Sequence, residues 1–169
     1  KFARGHITQE MRVIGTTDRH GTKVTFKPDP EMFDTLEYDY EILHTRMREQ
    51  AFLNAGLHIC IADERREAAE RPEKDRSDAM CYEGGIREFA RWYNRYKTPL
   101  YEDVIYMSGK KGEDSAEIAV QYNDSYAATI VSFANDIHTP EGGMHEEGFK
   151  RALTNVLNSY GVQKGILKN

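Results

Sequence analysis

Four things are scarce in this 169-residue chain, and each scarcity narrows what it can be. Cysteine is limited to Cys60 and Cys81, both among apolar or aromatic neighbours, which argues for reduced structural thiols over a disulfide framework or a thiolate metal site. No apolar run approaches the roughly 20 residues needed to cross a bilayer, and Lys1-Phe2-Ala3-Arg4-Gly5 lacks the stretch of a signal peptide. A soluble, cytoplasmic protein with no membrane partner is expected. Positive charge is also short: the net charge is −5, against what a domain built mainly to grip a phosphate backbone requires, although local basic patches remain open. Finally, neither the Gly-Lys-Ser nor the Gly-Lys-Thr of a phosphate-binding loop is present, and the chain starts without methionine, so a piece of a longer protein is expected.

What is present reads as one domain, residues 1–169, of alternating strands and helices. Met11-Arg12-Val13-Ile14 and Lys23-Val24-Thr25-Phe26-Lys27 flank a glycine-bearing turn and predict a hairpin, ended by Pro28-Asp29-Pro30. Helical spacing then takes over across 39–55, gathering Ile42, Leu43, Met47, Ala51, Phe52 and Leu53, with Gly56 as the stop. A strand at 57–62 is followed by a charged excursion, 63–78, expected to be a solvated and mobile link. Gly84-Gly85 opens a second helix bearing Ile86, Phe89, Ala90 and Tyr93. Strands are predicted at 104–107, 116–122 and 129–134, the first two joined by a turn-rich connection over 109–114. The last helix has the clearest stripe, Phe149, Ala152, Leu153, Val156, Leu157 and Tyr160, which should place Leu153 in the core against a sheet. The class is α+β, a mixed α/β sandwich with helices packed on one sheet.

Several blocks are specific enough to carry a resemblance: Arg48-Glu49-Gln50-Ala51-Phe52-Leu53-Asn54-Ala55-Gly56, Tyr82-Glu83-Gly84-Gly85-Ile86, Lys97-Thr98-Pro99-Leu100, Gln121-Tyr122-Asn123-Asp124, Ser132-Phe133-Ala134-Asn135 and Glu141-Gly142-Gly143-Met144-His145. With Gly21-Thr22 through Pro28-Asp29, Gly148-Phe149-Lys150 and Ala152-Leu153-Thr154, they span nearly the whole chain in order. In these blocks the chain resembles the ATPase subunits of bacterial type IIA topoisomerases, the B-subunit of DNA gyrase and its topoisomerase IV counterpart, in their second or transducer domain. The resemblance implies a ribosomal-protein-like fold with a left-handed β-α-β crossover, where ordinary crossovers are right-handed. It implies a parent enzyme that uses ATP and Mg2+, with no cofactor bound by this segment. It also implies partners: the parent's own N-terminal ATPase domain and C-terminal metal-binding domain, a second copy of the gyrase B polypeptide, the gyrase A polypeptide in an A2B2 complex, and DNA. The upstream ATP-binding domain, and the final strand with a Gln-Thr-Lys loop whose lysine reaches the γ-phosphate, are expected to lie outside the sequence. The pattern departs from the family at Met144, where threonine is usual, and at Asp136, where asparagine is.

No residue stands out as catalytic. Arg87, Arg91 and Arg95 recur every four residues and, with Lys97, make a basic stripe on the second helix, the DNA-facing candidates if the resemblance holds. The competing reading is a solvated face neutralised by Glu83 four residues before Arg87 and Glu88 three before Arg91. Trp92, Tyr93 and Tyr96 read as packing residues rather than base-stacking platforms. Asp136, His138, Glu141, His145, Glu146 and Glu147 crowd a dozen positions and hold metal-binding side-chain types, yet their spacing matches no recognised site, and carboxylates are also at home at a helix start. No metal site is assigned. Gly142-Gly143 reads as a backbone device rather than a phosphate cradle. The leading function is the one the resemblance implies, a mechanical module that passes the effect of ATP in a neighbouring domain to DNA strand passage, and it accounts for the lack of catalytic residues. The alternatives are a stand-alone nucleic-acid-binding module and a small metal-dependent enzyme at His138–His145.

Overall fold

The computed structural model describes residues 1–18, 21, 24–65, 70, 72 and 76–167, which divide into two units, Lys1–Leu43 and His44–Asn169. In the first unit, β1 (Phe2–Ala3) and β2 (His6–Ile7) pair antiparallel. Arg4 (φ 49°) and Gly5 (φ 79°) occupy the two turn positions in the left-handed region, the geometry that follows strand twist in a two-residue hairpin. Arg4 then reaches Glu31 at 2.7 Å and Asp29 at 3.5 Å. The hairpin predicted from Met11–Ile14 and residues 23–27 does not form: the described residues of both arms lie outside any strand, and Met11, Val13, Ile14, Val24 and Phe26 are exposed. Alternation specifies a strand only where a face is buried, and these side chains find none. Arg19, His20, Thr22 and Lys23 of that turn lie outside the described residues.

Helix α1 (Tyr40–Leu53) starts where the Asp39 carboxylate accepts from the backbone N–H of Ile42 at 3.1 Å, a side-chain cap on an otherwise orphaned donor. It ends at Gly56, whose φ of 78° suits glycine. Ala51 and Phe52 are fully buried, while Ile42 of the predicted stripe is exposed. The second unit continues with β3 (Ile59–Ala62) and β4 (Ser77–Met80), paired from Ile59↔Met80 to Ala62↔Ser77. Most of the charged link between them lies outside the described residues, as does its expected mobility. Helix α2 (Gly85–Asn94) follows, then β5 (Ile105–Lys111) and β6 (Asp114–Val120), the longest ladder. The connection expected over 109–114 shrinks to two residues, with Gly112 at φ 63°. Strands β7 (Phe133–Ala134) and β8 (Ile137–His138) turn through Asn135 (φ 48°) and Asp136 (φ 63°), so only the end of the predicted strand 129–134 is in a ladder. Helix α3 (Met144–Gln163) closes the order.

The α+β class stands. Its finer expectation does not: among the described residues the strands form four separate two-stranded antiparallel sheets, with no single sheet and no β-α-β crossover. A two-stranded ribbon offers little face to cover, and α3 shows the consequence. Its stripe leaves Val156, Leu157 and Tyr160 at least half exposed, Leu153 is only half-buried, and the one buried residue of the helix is Gly161. No helix among the described residues is long and apolar enough to cross a membrane.

Candidate functional site

The core is an aromatic stack at the meeting of α1, α2 and the end of β4. Phe52 lies between Tyr82 (3.6 Å between ring centroids) and Phe89 (4.4 Å), both nearly parallel to it, and Trp92 is tilted against Phe52 and Phe89 at 6.1 Å. Stacked aromatic rings bury large apolar faces against one another. Gly85, buried at the start of α2, adopts φ 56°, a left-handed conformation that strains any other residue, and a β-carbon there would be in van der Waals contact with Ala55 at 3.4 Å. The carboxylate of Glu88 accepts from the Gly84 backbone N–H at 3.1 Å, supplying the helix start that glycine cannot cap itself.

On this base the four predicted DNA-facing cations take up positions that spacing alone did not foretell. The Arg95 guanidinium lies 3.7 Å from the Trp92 ring centroid and 4.6 Å from that of Tyr96, while Arg87 lies 4.1 Å over Tyr106 of β5. Lys97 donates to the Thr129 hydroxyl at 3.2 Å. Arg48 approaches Trp92 at 5.3 Å, a basic residue of the same surface that the reading of α2 alone missed. Arg87, Arg91 and Arg95 are exposed. The pairing offered as the bland explanation is not what engages these side chains: Glu88 turns to Gly84, and the Glu83 carboxylate lies beside Gly56. Stacked arginines keep their charge and their outward N–H groups while losing little further freedom on binding. Tyr96, read as a packing residue, is 87% exposed, whereas Trp92 and Tyr93 are half-buried.

Behind the stripe, Asn94 at the end of α2 holds the 121–124 block read from the sequence. Its amide donates to the Gln121 side chain at 2.9 Å and its carbonyl accepts from Asn123 at 2.8 Å. The Leu100 N–H donates to the Tyr122 carbonyl and the Thr98 N–H to the Asp124 carboxylate, with Pro99 bridged to Asn123. The 97–100 and 121–124 blocks are thus one polar joint between α2 and β6.

The His- and Glu-rich segment is engaged in structural contacts. Glu146 forms an ion pair with Lys150 at 2.6 Å and accepts from Ser132 at 2.7 Å, and these partners hold its carboxyl below the usual range, Lys150 first. Ser132 and Thr139 are linked at 2.8 Å, and Thr139 meets His145 at 3.3 Å. Gly142 at φ 73° fits the backbone role read for the pair Gly142-Gly143. Among the described residues no three His, Cys, Asp or Glu side chains converge as metal ligands. Cys60 and Cys81 are free thiols, Cys60 exposed rather than packed, and burial raises the pKa of Cys81 above its ordinary value.

Known proteins resemble the chain along its whole length. It is 46% identical over 168 residues to the DNA gyrase B-subunit of Clostridium acetobutylicum and 48% identical to that of Staphylococcus aureus, matches that cover 99% of this chain. The chain spans about a quarter of the length of these curated relatives, 25% of each. Among solved structures, the 43K ATPase domain of Thermus thermophilus gyrase B, in complex with an aminocoumarin, aligns with a TM-score of 0.67 at 33% identity over 85% of this chain and 37% of that one. The B-subunit of the Myxococcus xanthus gyrase shares the fold, with a TM-score of 0.69 at 22% identity over 86% of this chain and 42% of that one. The family model for DNA gyrase B matches residues 85–169, half of the chain, from the start of α2 through α3, and the chain belongs to the DNA gyrase B family.

Proposed function

We propose that this chain is the transducer domain of an ATP-dependent type II DNA topoisomerase, coupling ATP binding and hydrolysis in an adjacent domain to DNA strand passage and supercoiling. The observation that carries the reading is the arginine stripe mounted on the α1–α2 aromatic stack. Charge suited to a polyanion is carried by a helix whose Phe89 is buried in that stack, with Arg95 held over Trp92 of the stack and Arg87 over Tyr106 of β5, so neither guanidinium is a loose side chain. Arg91 and Lys97 complete the DNA-facing set. The parent uses ATP with Mg2+ and works with a second copy of itself and with the gyrase A polypeptide, its ATPase and metal-binding domains lying on either side of this one in the same polypeptide. The chain alone neither binds nor hydrolyses ATP, because the positioning and charge stabilisation that phosphoryl transfer needs come from that neighbouring domain.

The test is made in the full-length parent reconstituted with gyrase A, by reversing Arg87, Arg91 and Arg95 to glutamate. DNA-stimulated ATPase should fall while ATPase without DNA persists, and the salt dependence of the stimulation should become shallower by about one unit of log–log slope per lost phosphate contact. Unchanged stimulation would remove the stripe from the DNA path. A stand-alone nucleic-acid-binding module, the second reading, is favoured only by the same exposed cations; salt-sensitive binding of duplex DNA by the 169-residue chain, with no effect of the triple variant on stimulation in the full enzyme, would support it.

A further inference from the structure

Glu49 is one of only two charged residues buried among those described, the other being Asp63. Its two oxygens are used unequally. Oε2 accepts from Arg46 one turn earlier on α1 at 2.7 Å, whereas Oε1 faces Nδ1 of His138, on β8 and 89 residues away, at 4.0 Å. That gap is too long for a hydrogen bond from a neutral ring and within reach of an ion pair with an imidazolium. The neighbouring residues extend the contact. Gln50 donates to the Asp136 carbonyl at 2.8 Å, so α1 already holds the turn of the β7–β8 hairpin, and the ring of His138 lies 5.2 Å from that of Phe133 on the opposite strand. The hairpin in turn reaches the start of α3 through Ser132, Thr139 and Glu146.

We propose that Glu49 and His138 form a proton-operated latch between α1 and the β7–β8 hairpin. With the imidazole protonated, the pair closes and fastens the hairpin, and with it the start of α3, to α1. With the imidazole neutral, Gln50 is left to hold the turn. The charged and titratable groups around the pair are Arg46 on α1, which competes for Glu49 from a half-exposed position; Tyr93 on α2, whose hydroxyl is raised chiefly by burial and then by the Glu49 charge; and Arg95, whose charge acts on Tyr93 in the opposite sense. Asp136 belongs to the hairpin itself and offers its carbonyl to Gln50. The latch acts within this chain and does not depend on the transducer reading.

The experiment is a double-mutant cycle on the 169-residue chain, with His138→Gln, Glu49→Gln and the pair, unfolded by urea at about pH 5.5 and about pH 8. These values bracket the ordinary imidazole range and lie above the ordinary carboxylate range. At the lower pH the coupling should change the folded-to-unfolded ratio by roughly three- to tenfold, as for a partly buried ion pair, and at the higher pH it should fall to about unity. Coupling that is equal at the two pH values, or zero at both, overturns the proposal. Should Glu49→Gln fail to fold, His138→Gln alone decides: its loss relative to the parent must shrink as pH rises, and a loss that is constant with pH overturns the latch.

Discussion

Helices α2 and α3 make a paired experiment in what an amphipathic stripe accomplishes. Helix α3 carries the longer run, six apolar positions at helical spacing, whereas the shorter α2 interleaves its aromatics with two arginines, Arg87 and Arg91, and Arg95 follows just past its end. In the structure the order is reversed: Phe89 of α2 is buried in a ring stack, and Val156, Leu157 and Tyr160 of α3 face outward. The difference lies in the partner. Helix α2 meets the stacked rings of Phe52 and Tyr82, while the two-stranded ribbons of the unit offer α3 little face to cover. A stripe specifies that a surface can be buried; only a complementary surface decides that it is.

The sharpest way to break this comparison is to truncate one residue on each side of it. Phe52→Ala removes the fully buried centre of the stack and should cost about 3–5 kcal/mol, the range for buried phenylalanine, whereas Leu157→Ala, 53% exposed, should cost under about 1 kcal/mol. Leu153→Ala, half-buried, should fall between them. Urea midpoints read the three side by side. If Leu157 proved as costly as Phe52, α3 would be covered in solution and the contrast between the helices would be lost.

A smaller effect tests the turns that fix where each helix begins. Gly142→Ala sets a β-carbon at φ 73° and 3.2 Å from the Glu146 carboxylate, which is already committed to Lys150 and Ser132. A loss of about 1–2 kcal/mol is expected, from the left-handed strain with some crowding. Gly109→Ala, with open space around it and no left-handed φ, serves as the control and should cost no more than a few tenths. Equal losses from the two would show that the start of α3 does not depend on the Gly142 conformation.

How much of this was legible beforehand follows the same division. The α+β class, the three helices and the two strands that pair as β5 and β6 lie where local signals placed them, because capping residues, turn glycines and periodicity act locally, whereas the polar joint of the 97–100 and 121–124 blocks was not read from the sequence. The hairpin of residues 11–27 and the docking of α3 did not follow, since both need a surface that no local pattern describes. At the candidate site, the spacing of Arg87, Arg91 and Arg95 was readable; that Arg87 would stack on Tyr106 and Arg95 on Trp92 was not. The Tyr106 contact joins a helix to a strand 19 positions on, and aromatic residues near arginines in sequence say nothing of ring orientation. Asn135-Asp136 could have been read as a two-residue hairpin turn, since both residue types tolerate positive φ there; grouping Asp136 with the nearby histidines and glutamates hid that signal.

The smallest expected effect concerns the other tie between α1 and a hairpin. Asp78 on β4 accepts from His44 at 2.7 Å, and Arg48 lies 3.9 Å away. The hydrogen bond from His44 is the largest cause holding the Asp78 carboxyl below its ordinary value, with burial opposing it. A carboxyl depressed in the folded state gives stability that is present above its unfolded value, near about 3.9, and lost as pH falls through the folded value. Because the Asp78 side chain is 39% exposed, solvent screens the pair, and the contribution should stay below about 1 kcal/mol near neutral pH. Asp78→Asn keeps the shape and removes the charge. Its deficit against the parent should therefore be visible at neutral pH and disappear in acid below the depressed value, with added salt shrinking it further. A deficit that persisted unchanged into strong acid would mean that the asparagine disturbs packing around His44. The tie between α1 and β4 would then be one of shape, and its charge would contribute nothing that the aromatic stack beside it does not already supply.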